Sequence, residues 1–214
     1  MMDEDFYDEL REKVKKGFEG GDGSHDFGHV SRVYNNALLL SQDEPVDFDV
    51  VRISALLHDI ARPLEESKNI CHAEEGAKMA IEILGEMGVP QDKILKIASA
   101  IATHRYSKHL KPESKEAEIL QDADRLDALG AITIARIFTY GGKKNRLLYG
   151  PNFLSKKVSG EKNTYSSLNH FYDKIFKLKP EGFHTAKARE IAKGRYDFVK
   201  QFVDRFEKEL EGKL

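Results

Sequence analysis

The sequence predicts an all-α fold for this 214-residue chain. Apolar residues recur at three- and four-residue spacing in successive stretches, which is the period of helices that bury one face. Clusters of Gly, Pro and Asp separate these stretches. We find no pair of alternating stretches joined by a hairpin turn, and no repeat of fixed period. We therefore expect one domain over 1–214, with a core segment over 25–130, a basic loop over 141–164 and C-terminal helices over 166–210.

Each predicted helix has an apolar stripe and a start or end signal. Asp47 is placed to cap the third helix, which should continue to Ile60 because Pro63 is the next helix breaker. The pair Gly141-Gly142 should end the helix that follows Gly130 and open an irregular segment. The predicted helices cover residues 3–16, 26–40, 47–60, 72–87, 92–104, 114 to at least 126, 130–140, 166–177 and 185–210.

Composition and charge narrow the class of protein. Hydrophobic and charged contents of 40% and 33% are those of an ordinary globular domain, and a net charge of −2 gives no field that would attract nucleic acid or an acidic membrane. No apolar run approaches the ~18 residues of a membrane span, and the first four residues lack the basic start of a signal peptide. The single cysteine, Cys71, cannot form an internal disulfide, which favours the cytoplasm. We expect neither a nucleic-acid polymer nor a membrane as partner.

A histidine and an aspartate, His58 and Asp59, stand side by side directly after an apolar helical run. Burying an aspartate without a partner is costly, and a cation between the two side chains would remove that cost. We therefore interpret the pair as half of a metal site. The alternative is a core histidine paired with an aspartate at a helix end.

Three more histidines, His29, His72 and His104, lie near the ends of other predicted helices. Each by itself has the ordinary interpretation of a polar residue at a helix end. These histidines and the nearby carboxylates can form one site only if the fold brings the ends of the separate helices together. Imidazole and carboxylate ligands suit Mn²⁺, Fe²⁺, Ni²⁺, Zn²⁺ or Co²⁺ rather than Ca²⁺.

An acidic segment follows in the sixth predicted helix. Asp122, Asp124 and Asp127 could form a solvated edge, but apolar residues flank them closely. At ~100° per residue, Asp124 shares a face with Leu120 and Ala128. We therefore predict that Asp124 is the acid that points inward.

The order His29, then His58-Asp59, then Asp124 resembles the defining pattern of the HD superfamily of metal-dependent phosphohydrolases. The surrounding segments HDFGHV (25–30), LLHDI (56–60) and QDADRLDALGAI (121–132) are similar to a branch of small bacterial HD hydrolases with nucleotide pyrophosphohydrolase members. The segment HFY (170–172) and the C-terminal helix through Arg195 look similar to that branch too, so the likeness covers almost the whole chain.

This resemblance implies a helical bundle of the HD-domain type. It also implies metal ligation by His29, His58, Asp59 and Asp124, while His72 and His104 match histidines that some branches use for a second metal and others for substrate contact. The implied reaction is hydrolysis of a small phosphorylated substrate, a nucleotide, by metal-activated water. Cleavage of a nucleoside triphosphate to monophosphate and pyrophosphate is favoured over monophosphatase or phosphodiesterase activity.

Further residues are candidates for catalysis and substrate binding. Arg125 is placed to bind a phosphate, with a surface salt bridge to Asp122 or Glu118 as the alternative, and Arg32 is a weaker candidate for the same task. We expect Asp59 to serve catalysis as well as metal binding. His104 is expected to act as a proton donor or as a hydrogen-bond partner of a ligand, and Asp127 as the partner of a ligand histidine. Substrate contact is also expected of His72.

Several alternatives stay open. The basic loop, with Lys143, Lys144, Arg146, Lys156, Lys157 and Lys162, is either a lid over a phosphorylated substrate or an ordinary solvated segment. The HD scaffold also supports diiron oxygenases, and a third interpretation is a nucleotide sensor without turnover. A homodimer is expected only because dimers are the commonest oligomers.

Overall fold

The computed structural model describes residues 2–18, 27–105, 108, 110–150 and 166–214. The regular structure in these ranges consists of α-helices and 3-10 turns, and no strand occurs in them, which confirms the all-α prediction. Across the same ranges, no helix has the length and apolar character needed to cross a membrane. The α-helices are α1 (Glu4–Gly17), α2 (Phe27–Ser41), α3 (Phe48–Leu57), α4 (Glu65–Lys68), α5 (His72–Glu86), α6 (Gln91–Thr103), α7 (Lys115–Asp127), α8 (Ala131–Lys143), α9 (Ser167–Asp173) and α10 (Ala186–Leu210).

The backbone packs as two compact units, Met1–Arg125 and Leu126–Leu214. In the first unit, α3 lies against α1, α2 and α6, while α5 packs along α6. Apolar side chains of α3 and α6 are almost fully buried there, for example Leu57 and Ile101. Asn36 on α2 donates a hydrogen bond to the carbonyl of Ala123 at 3.1 Å, which ties α7 to this core. The single-domain description of the chain stays a prediction.

The start of α3 agrees with the prediction, but its end does not. Asp47 accepts hydrogen bonds from the amides of Asp49 and Val50, as an N-cap does. The helix was expected to reach Ile60 and instead ends at Leu57. Tighter turns follow, in which Ile60 N–H donates to Leu57 O and Arg62 N–H donates to Asp59 O. Pro63 then lies in the first turn of the 3-10 helix Arg62–Leu64, where its missing N–H leaves no hydrogen bond unmade.

The short helix α4 was not predicted. It occupies the segment between Pro63 and His72, and it ends at Asn69, whose φ of 51° lies in the left-handed region that terminates helices. The segment predicted as one helix over 166–177 is divided. The helix α9 ends at Asp173, Lys174 leaves helical backbone angles at φ −127°, and a 3-10 turn follows over Ile175–Lys177.

In the second unit, α8 continues through Gly141-Gly142 to Lys143, so the prediction that this pair ends the helix is wrong. Close packing accounts for the glycine at position 141, where a Cβ would lie 2.0 Å from Ser167 Oγ. Glycine is needed there for the approach of α9 rather than for a helix end. Four aromatic rings pack together in this unit, those of Phe138, Phe202 and Phe206 and of the fully buried Phe171.

Candidate metal centre

Six predicted residues of the first unit come together at the ends of its helices. His29 lies in the first turn of α2, His58 directly follows α3, His72 begins α5 and His104 directly follows α6. The four histidines and Asp59 are each no more than 5% exposed. Asp124 lies in α7, and its side chain keeps 25% exposure. The fold therefore gathers the helix ends, as the convergence of these residues requires.

The carboxylate of Asp59 faces two groups of ligand atoms. Its Oδ2 lies 3.6 Å from His29 Nε2 and 3.8 Å from His58 Nε2. Its Oδ1 lies 3.4 Å from His72 Nε2 and 3.6 Å from His104 Nε2. We call His29, His58, Asp59 and Asp124 the first cluster, and Asp59, His72 and His104 the second cluster.

In the first cluster, His29 Nε2 is central. It lies 3.2 Å from His58 Nε2 and 3.4 Å from Asp124 Oδ1. Two donor atoms bound to one ion at about 2.1 Å lie about 3.0–3.4 Å apart at octahedral or tetrahedral angles. The ligand atoms of His29, His58 and Asp59 all lie within 4.8 Å of one another, and the same holds for the second cluster. Both clusters therefore fit a divalent transition-metal ion in donor type and in spacing.

The main chain sets the tautomers of two of these histidines. His58 Nδ1 donates to the carbonyl of Ala55 at 2.9 Å, and His104 Nδ1 donates to the carbonyl of Ile101 at 2.6 Å. A carbonyl only accepts, so the hydrogen lies on Nδ1 in both neutral rings. Each Nε2 then carries a lone pair and lies 3.8 Å (His58) or 3.6 Å (His104) from an oxygen of Asp59, an arrangement that a cation between them would stabilise.

The electrostatics of the first cluster favour neutral histidine beside ionised carboxylate. Burial lowers the pKa of His58 to about 4, although the charge of Asp59 opposes it. Burial by itself would raise the pKa of Asp59, but His58, His104 and His29 outweigh it and hold that pKa well below its usual value. Burial would also raise the pKa of Asp124, but the hydrogen bond and charge of His29 outweigh burial and lower that pKa to about 2. These are the protonation states that a metal ion requires.

The second cluster differs in its electrostatics. Burial lowers the pKa of His104, but the hydrogen bond and charge of Asp59 outweigh burial, so that the pKa lies above its usual value. For His72, burial is the larger effect and the pKa is lowered. The proton affinities of the two imidazoles therefore shift in opposite directions around the same carboxylate oxygen.

Next to His72 lies a group of three charged residues that the sequence did not predict as site residues, namely Arg62, Glu65 and Arg105. His72 Nδ1 lies 2.9 Å from both Glu65 Oε1 and Arg62 Nη1. Glu65 also pairs with Arg62 at 2.7 Å and with Arg105 at 2.8 Å. Burial raises the pKa of Glu65, but His72, Arg62 and Arg105 outweigh it and the pKa is lowered. Adjacency to His58-Asp59 and to His104 is the signal that could have pointed to Arg62 and Arg105.

The acidic segment of α7 is buried differently from the prediction. Asp122 and Asp127 are 0% and 2% exposed, so Asp124 is not the acid that points inward most deeply. Asp124 nevertheless contacts His29, with Oδ1 at 3.4 Å from Nε2. In the second unit, Asp127 Oδ2 accepts a hydrogen bond from Arg136 at 2.9 Å, and its predicted role toward a ligand histidine stays a prediction.

The remaining candidates are placed as follows. Arg125 Nη2 donates to Gln121 Oε1 at 2.7 Å, one turn before it on α7. Arg32 is partly buried, one turn after His29 on α2. Phosphate binding by either residue stays a prediction. Part of the predicted basic loop, with Lys156, Lys157 and Lys162, lies outside the described residues, as do His25 and Asp26.

Comparison with known proteins identifies the family. The model of the HD domain matches residues 26–129. The uncharacterized protein YpgQ of Bacillus subtilis strain 168 is 32% identical over 207 residues, which cover 96% of this chain and 94% of YpgQ. This chain therefore belongs to the HD superfamily, as the sequence pattern predicted.

Solved structures agree with this assignment. A predicted HD-superfamily hydrolase from an uncultured Thermotogales bacterium is 35% identical with a TM-score of 0.69, covering 95% of this chain and 92% of that one. An HD-superfamily hydrolase from Bacillus thuringiensis is 35% identical with a TM-score of 0.76, covering 97% and 98%. The structure of YpgQ in complex with ADP aligns at 27% identity and a TM-score of 0.74, covering 97% and 99%.

Proposed function

We propose that this protein is a metal-dependent phosphohydrolase whose substrate is a nucleotide. The observation that carries the proposal is the carboxylate of Asp59, which lies between two pairs of buried imidazoles. The names of two relatives as HD-superfamily hydrolases support hydrolysis, and the ADP complex of YpgQ supports a nucleotide. The specific reaction proposed is cleavage of a nucleoside triphosphate to monophosphate and pyrophosphate.

His29, His58, Asp59 and Asp124 would hold one divalent ion of Mn, Ni, Co, Fe or Zn, and His72 and His104 would share Asp59 for a second. When bound, such an ion makes water a stronger nucleophile at neutral pH and offsets charge on a phosphoryl group. Burial of the imidazoles keeps His58 neutral at pH 7 and so available as a ligand. Ionised Asp59 and Asp124 keep the centre anionic until a cation enters.

The other proposed roles follow from placement in the first unit. Arg125 and Arg32 are proposed to bind phosphate, because a guanidinium matches phosphate oxygens in a forked geometry. His104 has its Nδ1 engaged by the carbonyl of Ile101, so its Nε2 would either ligate the second ion or, where no second ion binds, donate a proton to a leaving group. The cytoplasmic location and the homodimer stay predictions, the former from the single Cys71.

A substrate panel tests the proposal. Nucleoside triphosphates, diphosphates, monophosphates and cyclic nucleotides are incubated with Mn²⁺, Ni²⁺, Co²⁺ or Mg²⁺, and phosphate and pyrophosphate are scored separately. We expect pyrophosphate from triphosphates with a transition metal. The matched control is Asp124→Asn purified in the same way, which removes contaminating phosphatases from consideration. Equal release by both proteins would refute the proposal.

Two clusters that share one carboxylate also favour a second candidate, a diiron oxygenase. That function requires two irons per chain and consumption of O₂. Iron analysis and an oxygen-electrode assay separate the candidates, because nucleotide hydrolysis with Mn²⁺ proceeds equally well without O₂.

A further inference from the structure

We infer that Glu65 is a positioning residue: it selects the tautomer of His72 and so decides whether the second cluster can hold a cation. This inference rests on the proposed metal-binding function. Glu65 lies in α4, the short helix between the His58-Asp59 pair and α5. It acts through the imidazole of His72, whose Nδ1 lies 2.9 Å from Glu65 Oε1.

The Nδ1 atom of His72 has two neighbours of opposite character at equal distance. Glu65 Oε1, an acceptor, and Arg62 Nη1, a donor, both lie 2.9 Å away. A neutral imidazole carries one hydrogen, so Nδ1 either donates to Glu65 or accepts from Arg62. His58 and His104 have no such choice, because their Nδ1 atoms face main-chain carbonyls.

The choice at Nδ1 determines what Nε2 presents to Asp59 Oδ1, 3.4 Å away. With the hydrogen on Nδ1, Nε2 has a lone pair and His72 is a metal ligand. With the hydrogen on Nε2, His72 donates to Asp59 and the carboxylate is satisfied without a cation. Only the first tautomer leaves the second cluster able to bind an ion.

The surroundings of Glu65 favour the metal-binding tautomer. Arg62 and Arg105 both pair with the Glu65 carboxylate, at 2.7 and 2.8 Å. These two ion pairs hold the carboxylate beside His72. The pair is shielded, since the side chains of His72 and Glu65 are 5% and 21% exposed. Either tautomer can donate to an ionised carboxylate, but the bond from Nδ1 to Glu65 is the shorter one, at 2.9 Å against 3.4 Å from Nε2 to Asp59. A cation at Nε2 would strengthen the bond to Glu65 further.

The direct test is the tautomer of His72 in the metal-free protein, read from the ¹⁵N shifts of its two ring nitrogens and assigned with His72→Gln. We expect hydrogen on Nδ1 in the unaltered protein. In Glu65→Ala, Arg62 is left as the partner of Nδ1, and we expect hydrogen on Nε2. Glu74→Ala, which removes an exposed carboxylate from the first turn of the same helix as His72, is the matched control and should leave the tautomer unchanged.

Calorimetric titration with Mn²⁺ supplies the second measurement. Glu65→Ala should weaken the second ion about 10–100-fold, the range found when partners of metal-bound histidines are removed, and leave the first within about twofold. Glu65→Gln, which keeps the shape and a neutral acceptor, should fall between, and it serves as the test should the alanine variant fail to fold.

Hydrogen on Nε2 of His72 in the unaltered metal-free protein would overturn the inference, as would unchanged affinity for the second ion in both Glu65 variants. Failure of the proposed function has a different signature: no Mn²⁺ binds to the unaltered protein at all. The tautomer measurement is made without metal, so it decides the role of Glu65 in that case too.

Discussion

The two clusters around Asp59 differ in how one histidine of each is held. In the first cluster, His58 is oriented by the carbonyl of Ala55, within the turn that ends α3. In the second, His72 is oriented by the side chains of Glu65 and Arg62. A ligand held by the main chain keeps its orientation as long as the helix folds. A ligand held by partly exposed side chains depends on three further charges, so the second cluster is the adjustable half of the centre.

Loss of the shared carboxylate of Asp59 should affect both clusters equally. Asp59→Asn is expected to release both ions and to lower kcat/KM at least ~10³-fold, because the metal supplies several kcal/mol of transition-state stabilisation and each 1.36 kcal/mol is a factor of ten. Metal content after gel filtration and initial rates measure both effects. Asp92→Asn, an exposed acid in the first turn of α6, is the control. An Asp59→Asn protein that keeps either ion would contradict the bridging role of Asp59.

Loss of one histidine should separate the clusters. We expect His29→Ala to weaken the first ion by on the order of 100-fold and His72→Ala to weaken the second similarly, since four ligands together supply about 10–16 kcal/mol. Each variant should leave the other ion in place. Mn²⁺ titrations of the two variants give the affinities, and loss of both ions in His72→Ala would show that the clusters do not act separately.

The smallest expected effect is on pH dependence. The pKa of His104 is raised by Asp59, whereas burial lowers that of His58 to about 4. As the pH falls, a proton therefore occupies His104 before His58. Below the pKa of His104, affinity for the second ion should fall about tenfold per pH unit while the contribution of His58 to the first stays constant down to about pH 5. Titrations with Mn²⁺ at pH 7.5, 6.5 and 5.5 measure both affinities. Loss of the first ion at a higher pH than the second would contradict the prediction.

Most of the fold and of the ligand set could be predicted before any coordinates. Helical periodicity is a local property, and it located α1, α2, α5, α6 and α10 to within a residue or two. The error at Gly141 has a cause that is distant in sequence, because this glycine makes room for Ser167 of another helix. The early end of α3 is a local feature, in which His58 bonds to the carbonyl of Ala55 three residues before it.

By itself, the sequence determined the fold class, the helices with strong apolar stripes, and the His-Asp pattern by which the family is identified. These follow from residue spacing and residue type, which are visible along the chain. Only the tertiary structure decided that the Asp59 carboxylate lies between two clusters and that Glu65, Arg62 and Arg105 meet at His72. Those arrangements join side chains from separate helices, and their distances depend on how the helices pack.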